Sequence, residues 1–282
     1  MMNSGVTLEN VSCPCCRADQ STAWASENGF QAVRCNRCRF IYLNPRPSDV
    51  VRDRATQLGA HAALEGSDMT EHHSPTKVQK YKRLLGMMFD DVWSSKKPIR
   101  WLDVGAGYGE VVEAVASLAP EGSVTRGLEP MAPKVAYARR RGIDLQEGFL
   151  EEVRERFDIV SSINVLSHVN DPAAFIKKFT RVLQPGGQVL IETGDMGNVE
   201  SRSQFPSILD LPDHVGFSTM DNIETMLKQA GLHPVRIHRA RIDGLGCAIK
   251  SLVKKLLGRP SILAIPYLSP YRRLVIRAEF KP

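Results

Sequence analysis

Apolar and polar positions alternate in an ordered way along the second two thirds of this 282-residue chain. From Ile99 onward, short apolar segments are followed by stretches with apolar residues at helical spacing. That pattern predicts a parallel sheet covered by helices on both faces. Five segments predict parallel strands, and two later ones predict an antiparallel pair at one sheet edge. In order they read IRWLDV, VTRGLEP, IDLQEG, FDIVSSIN, GQVLIET, VRIHRARI and LVIRAEF.

The same patterning divides the chain into three parts. Residues 1–45 are rich in cysteine, residues 46–95 carry a polar stretch and two predicted helices, and residues 96–282 hold the alternating strands and helices. An insert at 243–270 separates the last two strands. Its residues 245–257 place leucines on one face and lysines on another, which favours packing onto the chain's own domain and also permits contact with a membrane surface.

Composition narrows the class of protein. The chain is 43% hydrophobic and 24% charged, with a net charge of +6. No apolar run approaches the roughly 20 residues that a membrane helix needs, and the first residues lack the basic start and apolar core of a signal peptide. A cytoplasmic protein is therefore expected. The basic residues are scattered, so nucleic acid is not expected as a partner.

Five of the six cysteines lie close together near the start of the chain. They give two Cys-x-x-Cys pairs separated by eighteen residues, which is the spacing of a zinc ribbon. Four thiolates brought together by a hairpin close a tetrahedral structural Zn²⁺ site. The alternative, disulfides in a secreted domain, fits poorly with the missing signal peptide. The predicted metal ligands are Cys13, Cys16, Cys35 and Cys38, with Cys15 left over.

The glycine loop after the first strand of the large domain, DVGAGYGE, suggests a particular ligand. Its glycines follow G-x-G-x-G, and Glu110 stands where the dinucleotide pattern requires its third glycine. Asp103 before the loop suits a ligand with an ammonium group. Glu129, at the end of the second strand, suits both hydroxyls of a ribose. An adenosyl group with a cationic amino-acid tail meets these requirements, and S-adenosylmethionine is such a ligand.

At this point the sequence resembles the class I S-adenosylmethionine-dependent methyltransferases, whose fold is a Rossmann-like α/β sheet of seven strands. LDVGAGYGE, GLEP, FDIVSSINVLSHVNDP and LQPGGQVLIET are similar to four of their motifs, in order. The resemblance implies that the loop holds the methionine portion, Glu129 the ribose, the residues after the third strand the adenine, and Asn164 the sulfonium side. The implied cofactor residues are Asp103, Gly105, Ala106, Gly107, Glu129, Gly148, Phe149 and Asn164.

The cysteine-rich leader is also similar to a subgroup in which a zinc module precedes this fold and in which sugars, glycans or small metabolites are methylated. There the leader and the following helices form part of the substrate site, which implies a lid over the cleft here. In sugar C-methyltransferases of this kind an acidic residue and a histidine follow the fifth strand. Asp213 and His214 match them, so His214 is a candidate general base oriented by Asp213. A purely structural His214 is the alternative. Ser167 replaces a glutamate found in many relatives, so His168 receives no cofactor role.

Three functions remain open from the sequence. The first is O-methylation of a sugar, glycan or small metabolite. The second is RNA methylation, since a zinc ribbon in a basic chain can grip phosphates. The third is a non-catalytic interaction protein. Cofactor affinity separates the third from the others, and salt-dependent RNA binding separates the second from the first.

Overall fold

The computed structural model describes residues 8–58, 73–241, 253 and 269–281. Its strands are β1 Leu8–Glu9, β2 Ser21–Glu27, β3 Phe30–Cys35, β4 Ile41–Leu43, β5 Arg46–Pro47, β6 Arg100–Val104, β7 Val124–Glu129, β8 Leu145–Glu147, β9 Phe157–Ile163, β10 Leu183–Asp195, β11 Gly216–Phe217, β12 Leu232–Ala240 and β13 Arg272–Phe280. Its α-helices are α1 Asp49–Leu58, α2 Pro75–Met88, α3 Asp90–Ser94, α4 Glu110–Ala116, α5 Ala132–Arg140, α6 Pro172–Val182 and α7 Met220–Gln229.

The largest sheet has seven strands in the order β12-β13-β10-β9-β6-β7-β8. The strands from β10 to β8 in that order pair in parallel, whereas β13 is antiparallel to both β10 and β12. The predicted Rossmann-like seven-stranded fold is therefore confirmed, including the antiparallel pair at one edge.

Helices cover both faces of this sheet. Since neighbouring residues of a strand point to opposite faces, each strand contributes side chains to both. Ile159, Leu190 and Val275 belong to one apolar core together with residues of α2 and α4. Their neighbours Val160, Ile191 and Ile276 belong to another core with residues of α6 and α7. Burial on both faces explains why these strands have continuous apolar sequences.

The sequence predicts two helix caps, Ser48 before a helix that starts at Asp49 and Ser218 before the helix that follows the fifth strand of the large domain. Ser48 directly precedes α1. The Ser218 cap was wrong: Thr219 is the cap of α7, and its hydroxyl accepts the N–H of Asn222 at 3.2 Å. Asn222 reciprocates by accepting the N–H of Thr219 at 2.9 Å. Ser218 is instead buried, and its carbonyl accepts the N–H of Met196.

The cysteine-rich part forms a second sheet with the order β11-β4-β3-β2. Strands β2 and β3 form a hairpin that turns at Asn28 and Gly29. The fourth strand, β11, comes from far along the chain, after β10, and pairs antiparallel with β4. We define residues 8–47 as the cysteine module. Its sheet includes β11, so its hydrogen bonding extends beyond the predicted boundary at residue 45.

The polar connection between α1 and α2 lies mostly outside the described residues, as do His61 and His72. His73 is described and is buried, with its Nε2 atom 2.7 Å from Oε2 of Glu113 on α4. From the sequence, a histidine in this polar stretch is expected to be an exposed loop residue. For His73 this is wrong, because the start of α2 packs against α4.

Most of the predicted 243–270 insert, including the 245–257 helix and its possible membrane contact, lies outside the described residues. Among the residues that the structure describes, no helix is both long enough and apolar enough to cross a membrane.

Candidate active site

The glycine loop leaves β6 with three glycines in the left-handed region of backbone space, at φ values of 75°, 57° and 85° for Gly105, Gly107 and Gly109. A Cβ atom at Gly105 would lie 2.4 Å from the side chain of Val165, so glycine is required there for space as well as for conformation. The N–H groups of Gly105 and Ala106 donate to the carbonyl of Leu128 at 2.8 and 3.0 Å. These bonds fix the loop against the end of β7.

Glu129 stands at that end of β7 and organises the loop further. Its Oε2 accepts the N–H of Gly107 at 2.8 Å, and its Oε1 accepts the N–H of Met131 at 3.1 Å. The side chain is 5% exposed, and burial raises its pKa against the opposing effects of Lys134 and the two N–H groups. Both carboxylate oxygens are thus held in place, and lone pairs remain for further donors.

Asp103 lies behind the loop and is only 2% exposed. Its Oδ1 accepts the hydroxyl of Ser161 at 2.6 Å, and Ser161 in turn accepts the indole N–H of Trp101 at 2.8 Å. Burial raises the pKa of Asp103 to about 7, assisted by the negative charges of Glu129 and Glu110 and opposed by the Ser161 hydrogen bond. The carboxylate therefore carries a large desolvation cost when no cation lies nearby.

We expect Asp103→Asn to stabilise the ligand-free protein at alkaline pH. The raised pKa means that the native state keeps a proton which the unfolded chain loses near pH 3.8, so wild-type stability falls from that pH up to about 7 and the full cost persists above it. Asparagine does not titrate. The unfolding midpoint of the variant relative to wild type should therefore rise between pH 5 and pH 8. Asp144→Asn, which changes an exposed carboxylate, serves as the control, and a difference independent of pH would contradict the assignment.

A cavity of about 750 Å³ opens beside the loop and the carboxyl ends of the parallel strands. This is where ligands bind in open α/β sheets, and the volume lies in the range of small-molecule sites. Of the eight expected cofactor residues, Asp103 and Ala106 are buried behind the wall of the cavity. The other six line it: Gly105, Gly107, Glu129, Gly148, Phe149 and Asn164.

Helix α1 forms the opposite wall of the cavity, together with Pro47 before it. Asp49, Arg52, Asp53 and Thr56 line the cavity from this helix. The start of the connecting region therefore lines the cavity, and its role as a lid stays a prediction.

The acid and the histidines meet in a different arrangement from the one expected. Asp213 was expected to orient His214, but its Oδ2 lies 3.1 Å from Nδ1 of His168, and its own carbonyl lies 3.3 Å from the same atom. The loop turns the Asp213 carboxylate toward the short 3₁₀ turn that carries His168, and His214 lies within 4.8 Å of both, so the orientation of His214 by Asp213 stays a prediction. His168 and Asp213 both line the cavity.

His214 lies behind this pair. Its Nδ1 donates to the carbonyl of Leu209 at 2.8 Å, and its ring centroid is 4.5 Å from that of His168. Burial lowers the pKa of His214, and the nearby His168 adds to this, against the opposing effects of the Leu209 carbonyl and of Asp213 and Asp210. The imidazole is therefore kept neutral, and it does not line the cavity.

Sequence reasoning missed Arg52, which links α1 to both segments of the site. Its guanidinium donates to the carbonyls of Pro212 at 3.1 Å and Asp213 at 3.3 Å, and also to that of His168. Burial lowers the pKa of Arg52, with the charge of Asp213 opposing. No sequence motif indicates this role, because the three acceptors are backbone carbonyls that only the fold brings together.

The cysteine module brings four sulfurs together. The Sγ atoms of Cys13, Cys16, Cys35 and Cys38 all lie within 4.8 Å of one another, with separations of 3.5 Å between Cys13 and Cys38 and 3.6 Å between Cys16 and Cys35. A Zn–S distance of about 2.3 Å implies tetrahedral edges of about 3.8 Å, so the cluster fits zinc. Cys15 is buried outside this cluster, and the sixth cysteine, Cys247, lies outside the described residues.

Comparison with known proteins identifies the family of this chain. The family model described as "Methyltransferase domain" matches residues 71–237. The ubiquinone biosynthesis O-methyltransferase of Pseudomonas entomophila is 35% identical over 102 residues, which are 33% of this chain and 43% of that protein. The enzyme of the same name from Ruegeria pomeroyi is 29% identical over 184 residues, 57% of this chain and 72% of that protein. The chain thus spans less than half of the first of these relatives.

Solved structures agree on the fold. The phosphoethanolamine N-methyltransferase 2 of Haemonchus contortus, solved with phosphomonomethylethanolamine and S-adenosylhomocysteine, superposes with a TM-score of 0.54 at 19% identity. The match covers 72% of this chain and 52% of that one. With the family model spanning more than half of the sequence, the chain belongs to the methyltransferase-domain family.

Proposed function

We propose that this protein transfers the methyl group of S-adenosylmethionine to a hydroxyl oxygen of a small-molecule acceptor. The observation that carries the proposal is the contact between His168 and Asp213 on the wall of the cavity. A hydroxyl must lose its proton as it is methylated, and a histidine held by a carboxylate is suited to take it. The O-methyltransferase names of the relatives support the same chemistry.

For the cofactor, we propose the six residues that line the cavity, with Asp103 and Ala106 supporting them from behind. The Glu129 carboxylate would accept the ribose hydroxyls, and Gly148 and Phe149 would border the adenine. Asn164 would lie on the sulfonium side. S-adenosylmethionine supplies a methyl group on a positively charged sulfur, which leaves as a neutral thioether. Asp103 then contributes negative potential behind the loop without entering the cavity.

We assign the general base to His168 and not to His214. Two oxygens of Asp213 lie near Nδ1 of His168, and since oxygens of this kind only accept, Nδ1 carries the hydrogen. Nε2 is then left with a lone pair, and it would take the acceptor's proton as the oxygen bonds to the methyl carbon. Asp213 would stabilise the resulting imidazolium. Arg52 donates to the backbone carbonyls of both residues and so holds them next to each other.

The acceptor is proposed to be small, because the cavity has a volume of about 750 Å³, which lies in the range of small-molecule sites. The names of the relatives favour an aromatic hydroxyl of the kind found in ubiquinone precursors. A sugar or glycan hydroxyl, the expectation from the leader, is the second acceptor class to test.

We also propose that Cys13, Cys16, Cys35 and Cys38 hold one structural Zn²⁺. The support is the separation of their sulfurs, which matches a closed tetrahedron of thiolates. Such a site leaves no position for substrate, so the metal would brace the module and take no direct part in methyl transfer.

The direct test incubates the protein with S-adenosylmethionine and a panel of hydroxylated aromatic compounds, nucleotide sugars and RNA, and measures S-adenosylhomocysteine and methylated product by mass spectrometry. We expect methyl ethers of one small-molecule class. Glu129→Ala should lose cofactor binding and product together, whereas Glu121→Ala, a change at an exposed turn, should retain both. Methylation of RNA alone, or of an amine alone, would contradict the proposal.

A further inference from the structure

The last residue of β2, Glu27, reaches from the cysteine module to the segment that carries Asp213 and His214. We call residues 209–217 the catalytic segment. Oε2 of Glu27 accepts the N–H of Leu209 at 2.9 Å, and its Oε1 accepts the N–H groups of Asp210 at 2.6 Å and Leu211 at 3.3 Å. One carboxylate thus binds three consecutive backbone N–H groups. The middle residue, Asp210, has a left-handed φ of 64°, which a loop without such contacts would rarely adopt.

Further bonds from the module hold the same segment. The Asn28 amide donates to the carbonyl of Leu211 at 2.8 Å, and the N–H of Leu43 donates to the carbonyl of Val215 at 2.9 Å. On the other side, the N–H of Val215 donates to the carbonyl of Ser167 at 2.8 Å, next to His168. The catalytic segment is therefore fixed between the module and the turn that carries the proposed base.

A single peptide group connects Glu27 to His214. The Asp210 N–H donates to Glu27, and the Leu209 carbonyl of the same peptide group accepts from Nδ1 of His214. Because a carbonyl only accepts, this bond places the hydrogen of His214 on Nδ1. The Glu27 carboxylate thus bonds the peptide group that accepts from His214, whose ring centroid is 4.5 Å from that of His168.

Glu27 is well suited to this role because it stays ionised. Its side chain is 18% exposed, and burial alone would raise its pKa, but the three backbone N–H groups and Arg202 outweigh that effect and lower it. A carboxylate that accepts several N–H bonds is strongly favoured in its charged form. The contact therefore persists at neutral pH.

We propose that Glu27 is a positioning residue which, through the backbone of Leu209 to Leu211, holds Asp213 and His214 in place against His168. The proposal rests on the proposed function for its catalytic meaning. It assigns the cysteine module a task beyond binding zinc, which is to hold the acceptor side of the active site.

The test follows the histidines themselves, by recording their ring-proton NMR signals against pH in wild type, Glu27→Ala and Ser26→Ala. Ser26 is the exposed neighbour on the same strand and is the matched control. Signals are assigned with His168→Gln and His214→Gln. The groups facing His214 are His168, Asp213, Asp210 and the Leu209 carbonyl, with Phe217 against its ring. In Glu27→Ala the segment should move away and admit water, so the pKa of His214 should shift upward toward its ordinary value.

Ser26→Ala should titrate as wild type does, and zinc content should stay the same in both variants. If Glu27→Ala does not fold, Glu27→Gln decides: its amide oxygen keeps one acceptor and its NH₂ faces an N–H, so a partial upward shift is expected. An unchanged His214 titration in whichever of the two variants folds would overturn the proposal. The measurement needs neither cofactor nor acceptor, so a failure of methyl transfer in wild type would refute the proposed function and leave this result intact.

Discussion

Replacing His168 by alanine should lower the rate of methyl transfer by roughly 10²- to 10⁴-fold, the usual contribution of a general base. The variant loses the imidazole that Asp213 contacts on the cavity wall. Affinity for S-adenosylmethionine should change little, because the glycine loop and Glu129 lie elsewhere in the cavity. Turnover and cofactor affinity are the measurements.

Three variants give this prediction its controls. Asp213→Asn should show a large part of the same loss, because the remaining amide orients the ring but does not stabilise its charge. His233→Ala removes an exposed histidine on β12 and should behave as wild type. His214→Gln should cost much less than His168→Ala. Full turnover in His168→Ala together with a large loss in a His214 variant would return the base to His214.

Loss of the zinc site should abolish most methyl transfer while leaving cofactor binding in place. Cysteine-bound structural zinc contributes roughly 10 to 16 kcal/mol in small modules, so the cysteine module should open without it. Strand β4 of that module pairs with β11, and β11 directly follows the loop with Asp213 and His214. The glycine loop and Glu129 belong to the seven-stranded sheet and should stay folded. The measurements are metal content, cofactor titration and turnover of Cys35→Ser.

The neighbouring cysteine is the matched control for that experiment. Cys15 lies in the same turn but outside the sulfur cluster, so Cys15→Ser should keep one zinc per chain. If Cys15→Ser loses the metal and Cys16→Ser keeps it, the ligand set is wrong. A metal-free Cys35→Ser protein with wild-type turnover would show that the module does not support the active site.

Local patterns were enough to predict the large sheet. The strands around Ile159 and Leu190 are apolar on both faces because helices bury both, and the glycines mark a turn that other residues cannot form. These are properties of short segments, so they can be read without knowledge of the fold. The position of Glu129 at a strand end is of the same kind.

The histidine arrangement could not be read in this way. Asp213 and His214 are adjacent in sequence, which suggested a pair, whereas the contact of Asp213 with His168 joins residues 45 positions apart. The bond from Val215 to the backbone of Ser167 and the bonds from Arg52 hold these two segments together. The roles of Arg52 and Glu27 depend on backbone groups of distant residues, which leave no trace in side-chain patterns.

The pairing of Ile41 with Phe217 joins parts of the chain that are far apart in sequence. Contacts of this kind form late in folding, since the ends of a long loop must first meet. During synthesis the N-terminal hairpin of β2 and β3 emerges first. The fourth strand of the same sheet, β11, leaves the ribosome only after β10. An incomplete chain that ends before residue 217 therefore cannot form the acceptor side of the site, even with its cysteines and its glycine loop already made.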